Sequence, residues 1–141
     1  MHIRRLIVLI VALLAACGGS PNLPQKPQIT MFPTSIGFGS ENGFGVYIGT
    51  APERDFEITN GGLDDLILST ATLTGDSAFR MTGPLSMRIT GNKKTFVQVI
   101  FTPAEAKPYS GTVTITSNAE NAPTATVALQ GVGIRPSPDG G

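Results

Sequence analysis

The sequence contains no tryptophan, one cysteine and one histidine in 141 residues, and only 14% of it is charged. The histidine is His2, inside an N-terminal leader, so the chain left after leader removal has no imidazole to move a proton or activate a nucleophile. Metal centres of the histidine and cysteine type are excluded with it, which leaves oxygen-ligand cations such as calcium. No stretch places alternating carboxylates before a distal glutamate in calcium-loop spacing, and the adjacent pair Asp64-Asp65 reads as a solvated turn. A hydrolase without histidine needs a Ser-Lys or paired-carboxylate arrangement, and no signature places one. The reading is therefore of a non-enzyme without cofactor. Ten lysines and arginines stand against ten acids, and loss of Arg4 and Arg5 with the leader leaves a charge of about −2. Nucleic-acid binding has no electrostatic support in that balance.

The one cysteine has an informative context. His2, Arg4 and Arg5 precede an apolar run from Leu6 to Leu14, and Ala15, Ala16 and Cys17 follow, the order of a secretory signal. The run is far short of the roughly 20 residues that span a bilayer as a helix. An unpaired thiol in an exported chain is a liability. Leu14-Ala15-Ala16-Cys17 resembles the bacterial lipobox, which implies a signal peptide over residues 1–16, cleavage before Cys17 and acylation of its sulfur. Two or more acyl chains, at about 0.8 kcal/mol per buried CH₂, hold a protein stably where one does not. Membrane lipid is thus the partner expected through Cys17. In the similar enterobacterial lipoproteins an aspartate after the cysteine favours the inner membrane; Gly18 stands here, so the expectation is the cell envelope, at the outer membrane.

Residues 17–28 follow as lipidated cysteine and flexible tether, because "GGSPNLPQKP" is glycine, proline and polar residues without apolar periodicity. Residues 29–134 make one ordinary domain, and 135–141 read as a disordered tail. Within the domain, short β-branched, leucine and aromatic segments are separated by Gly, Asn, Asp and Pro, and no window sustains a helical stripe. The strands predicted are Gln28 to Phe32, Ser35 to Phe38, Arg54 to Thr59, Leu66 to Leu73, Phe79 to Met81, Ser86 to Thr90, Thr95 to Phe101, Thr112 to Ser117 and Thr124 to Leu129. Side chains two apart share a face, which selects Phe56 with Ile58, Leu66 with Leu68, Val97 with Val99 and Phe101, Val113 with Ile115, and Val127 with Leu129 as core. The strand around Val99 carries Phe96 and Ile100 on its other face, so it is central or covered. Such strands pair their apolar faces as an all-β, immunoglobulin-like antiparallel sandwich of seven to nine strands.

Asn60-Gly61-Gly62 suits a tight hairpin reversal, and Gly75-Asp76, Gly91-Asn92 and Asn118 to Pro123 punctuate the chain similarly. The cluster "GFGSENGFGVYIG" misses the dinucleotide and phosphate-loop spacings and has no helix after it, so it reads as a flexible connection and not as a nucleotide site. Lys93-Lys94 read as turn lysines, with guarding of a sheet edge as the other reading.

Pro33 before Ile36-Gly37-Phe38-Gly39, Phe56-x-Ile58-x-Asn60-x-Gly62, Gly75-Asp76-x-x-Phe79, Val99-x-Phe101-x-Pro103, Ser117-Asn118 and Leu129-x-Gly131-x-Gly133 together resemble the bacterial hydin-like, or ASH-type, immunoglobulin-like domain, related in fold to the major sperm protein domain. Phe38, Phe79 and Phe101 are the large rings that a core without tryptophan needs, and Pro103 and Pro123 mark strand ends. The resemblance implies a non-catalytic docking or structural module, with an envelope protein as partner. The alternatives are a surface adhesin or carbohydrate-binding module, which needs exposed aromatics such as Phe44, Tyr47 and Phe96, and an envelope chaperone or pilus-type subunit. No binding residue besides Cys17 is singled out.

Overall fold

A computed structural model describes residues 22–39, 44–83 and 86–136; the leader, Cys17 and the last five residues of the tail lie outside them. Ten strands form: β1 (Ile29–Phe32), β2 (Ser35–Phe38), β3 (Val46–Tyr47), β4 (Glu53–Asn60), β5 (Leu66–Gly75), β6 (Phe79–Thr82), β7 (Met87–Ile89), β8 (Lys94–Phe101), β9 (Pro108–Ser117) and β10 (Thr124–Ile134). One sheet has the order β1-β4-β8-β6, and the other β2-β10-β9-β5-β7 with β3 also on β10. All nine strands expected from alternation are present, and β8 is central, between β4 and β6. The tenth, β3, lies inside the glycine cluster that reads in sequence as a plain connection. Two residues are too few to show a period.

The sandwich is not wholly antiparallel. β2 and β3 both run parallel to β10, pairing Ile36 with Leu129 and Val46 with Gly133. The chain leaves the first sheet after β1, across the cis Phe32–Pro33 peptide, and continues as the edge of the second. β9 and β10 are also longer than the sequence suggests, because Pro108 opens β9 and Gly131 and Gly133 stay within β10.

Three of the four expected turns are crossings between sheets. Asn60-Gly61-Gly62, Gly75-Asp76 and Gly91-Asn92 join β4 to β5, β5 to β6 and β7 to β8, and each pair divides between the two sheets. Only Asn118 to Pro123 joins neighbours, β9 and β10. Gly61 and Gly62 do not adopt the positive φ of a hairpin turn. Glycine at 62 serves a close approach instead, since a Cβ there would strike the Lys26 carbonyl. That contact exposes a further correction: the tether ends earlier than Gln28. Leu63 and Asp64 donate main-chain bonds to the Pro24 and Gln25 carbonyls, and Glu120 to that of Pro27. Pro24 to Gln28 are part of the domain.

The core lies between the sheets and contains every pair that alternation selects. Phe38, Phe79 and Phe101 meet at its centre, with ring centroids 6.0, 5.3 and 4.9 Å apart, and Tyr109 sets its edge on Phe101 at 5.5 Å. Gly131 makes room for that cluster: a Cβ would lie 2.5 Å from Cζ of Phe101. In β5 a bulge between Leu68 and Thr70 shifts the alternation, so Leu66 and Leu68 are buried while Ala71 and Leu73, of the other parity, also pack on the core.

Candidate binding surface

Cys17, the one site residue expected from sequence, lies outside the described residues. The acidic pair Asp64-Asp65 and the lysine Lys94 take structural roles. Asp64 accepts a hydrogen bond from Gln25 at 2.6 Å and Asp65 pairs with Arg88 at 2.9 Å. Among the described residues no three His, Cys, Asp or Glu side chains converge on a metal position. Lys94 opens the central strand β8 and bonds Glu57 of β4 at 2.7 Å, so it guards no edge. That ammonium, with the Thr59 hydroxyl, holds the Glu57 carboxyl below the usual carboxylate range. Glu120 and Glu105 similarly raise Lys26 and Lys107. Such exposed pairs contribute little to stability.

Asn60 is fully buried, and every polar atom of its side chain is bonded. Its oxygen accepts from the Gln28 and Gly62 amides, and its NH₂ donates to the carbonyls of Asp64 and Ile89. One side chain thus joins the N-terminal segment, the β4–β5 crossing and β7. Asn121 imitates a strand: its amide accepts from Ile29 N–H and donates to Ile29 C=O, both at 2.8 Å, on the side of β1 away from β4. The outer edge of β1 is therefore filled at that residue.

Below β1 the edge is open. The bonds Asn60 N–H to Lys93 and Phe101 N–H to Pro52 set the parity of the β4–β8 ladder, in which even-numbered β4 residues bond to β8. Glu57 and Thr59 turn the other way and pair with Phe32 and Thr30 of β1. Glu53 and Asp55 have the same orientation, but β1 has already crossed to the other sheet. Among the described residues their N–H and C=O groups have no main-chain partner. They face a cleft of about 320 Å³ whose far wall is Ser35, Ile36 and Gly37 of β2. Arg54 also lines it, its guanidinium 6.0 Å from the Phe38 ring centre. Phe32 and Phe96, in register on either side of Glu57, are 73% and 57% exposed on the outer face of this sheet. Phe44 and Tyr47, around β3, are exposed as well. The sequence alone picks out neither this particular edge nor Phe32; the signals it carries are the Phe32-Pro33 step and the alternation Glu53-x-Asp55-x-Glu57.

Two sheets with an N-terminal strand divided between them and a last strand flanked by parallel β2 and β3 define an immunoglobulin-like sandwich. The fold is similar to that of ASH-type and major sperm protein domains. It is similar to the ASH/PapD-like domain 7 of human CEP192, at 18% identity over 97% of this chain and 99% of that one, with a TM-score of 0.63. It is also similar to the major sperm protein family member WR4 of C. elegans, at 9% identity over 76% of this chain and 98% of that one, TM-score 0.50. The E. coli chaperone DraB matches at 8% identity over 74% of this chain and 54% of its own length, TM-score 0.53. No family model matches the sequence, and no curated protein is similar to it by sequence.

Proposed function

We propose that this is a non-catalytic, lipid-anchored protein of the bacterial cell envelope whose sandwich docks another envelope protein. The anchor rests on Leu14 to Cys17 behind its basic and apolar leader. The docking reading rests on one observation: among the described residues the sandwich satisfies its buried side chains internally yet leaves a lateral sheet edge open at Glu53 and Asp55. Sheet edges are a recurrent site of strand addition. The fold analogy to ASH and major sperm protein domains agrees with a module lacking chemistry of its own, though folds host many functions. Similarity to a pilus-type chaperone is weaker support for that role, because β10 pairs with β9 on one side and, over residues 128–131 and 133–134, with β2 and β3 on the other.

The mass of the N-terminal peptide of membrane-extracted protein, beside a Cys17→Ser variant, tests the anchor. The expected result is an acylated Cys17 and a variant that is released or unprocessed. An unmodified N-terminus overturns the anchored reading. Crosslinking in cells tests docking, with one envelope protein expected to be captured by wild type. A second reading, carbohydrate binding, is favoured by the exposure of Phe32, Phe44, Tyr47 and Phe96; it predicts retention on a glycan array that Phe96→Ala weakens.

A further inference from the structure

We infer that the cleft between β4 and β2 is the docking site itself, and that it accepts an extended segment carrying basic residues at alternate positions. This inference rests on the docking reading above. The geometry is that of a missing strand continuation. Had β1 run on, residues 34 and 36 would pair with Asp55 and Glu53, since the antiparallel register matches Thr30 with Thr59 and Phe32 with Glu57. An incoming segment in that position finds two N–H and two C=O groups already pointing at it.

The second wall is similarly prepared. Ala128 donates to the Thr34 carbonyl, and the parallel register that follows turns the even-numbered residues of β2 toward β10. Ser35 and Gly37 therefore turn their main-chain groups outward, to the cleft. Polar groups of two strands thus face a common space.

Charge selects the occupant. Glu53, Asp55 and Glu57 share the outer face of β4, at about 7 Å intervals for residues two apart. Of these only Glu57 has a cationic partner among the described residues, Lys94. Side chains of an added strand directly opposite Glu53 and Asp55 would stand about 5 Å from theirs, so lysine or arginine there is favoured and an acid is opposed. The positions between would turn to the inner face, the side of Arg54.

The test uses the purified full-length protein in detergent and two short capped peptides, one alternating lysine with alanine, the other glutamate with alanine. Hydrogen exchange at the Glu53 and Asp55 amides is read with each. The expected result is at least roughly tenfold slower exchange at both amides with the lysine peptide, none with the glutamate peptide, and weakening by salt. Asp55→Pro removes an N–H on the cleft side without touching the β8 ladder and is expected to abolish the protection. Glu53→Lys with Asp55→Lys is expected to reverse the peptide preference, an outcome that unfolding cannot mimic. Lysine-peptide binding without protection at the two amides, equal binding of both peptides, or binding of neither overturns the inference. Each of those results leaves envelope docking standing if crosslinking still captures a partner elsewhere on the domain.

Discussion

Asn60 is the residue on which most connections converge. Asn60→Ala leaves two carbonyls and two amides without partners in a buried place, and is expected to lower the unfolding free energy by about 3 kcal/mol in urea titration. Asn60→Asp should be no milder, because an acceptor then faces the Asp64 and Ile89 carbonyls. Gly131→Ala is expected to cost about 2–3 kcal/mol by driving a methyl into the Phe101 ring, and Phe101→Leu in the same chain to recover part of it, a coupling that a double-mutant cycle measures. Glu57 adds a small acid-side pH dependence: its carboxyl is held below the ordinary range by Lys94 and Thr59, so its contribution is present above that range and disappears as pH falls through the lowered value. The stability difference between wild type and Glu57→Gln should therefore be seen near neutrality and vanish in acid. In the sequence Asn60 reads as turn punctuation and Gly131 as part of a closing motif. The type of each residue is legible there, but Gln28 and Ile89, which Asn60 joins at separations of 32 and 29 residues, and Phe101, against which Gly131 packs, are not.

At the scale of elements, alternation is a good guide wherever a strand is longer than four residues and unbroken. It finds the inward faces of β4, β8, β9 and β10 without exception among the residues it selects. It fails at the β5 bulge, where one extra residue changes parity and hides Leu73. It also says nothing about which sheet a strand joins, so a glycine-rich crossing and a glycine-rich hairpin look alike. The open edge below β1 follows from that missing information, since it exists only because β1 and β2 belong to different sheets. Asn121 is the counterpart device, covering the edge where β1 is present. Asn121→Ala is expected to speed amide exchange at Ile29 by roughly tenfold or more, with a loss of about 1–2 kcal/mol in overall stability.

For the whole molecule, the N-terminal boundary is the feature with most consequence. Deleting residues 22–27 is expected to lower stability by about 1–3 kcal/mol, measured by denaturant titration of the shortened chain, whereas a freely moving tether could be removed without effect. Pro24 docks beside the Asn60 end of the sandwich, while Pro52 and Glu53 lie at the other end, with Ile134 close by through its bond to Ile48. From an acylated Cys17 to Pro24 the chain can reach about 25 Å at full extension, less than the roughly 36 Å that β10 covers at ordinary strand rise. The leash is shorter than the body it holds. If Cys17 is acylated as proposed, the domain cannot invert to press its Glu53 and Asp55 end on the bilayer that holds it, which favours a segment presented from the facing surface over one rooted in that same membrane.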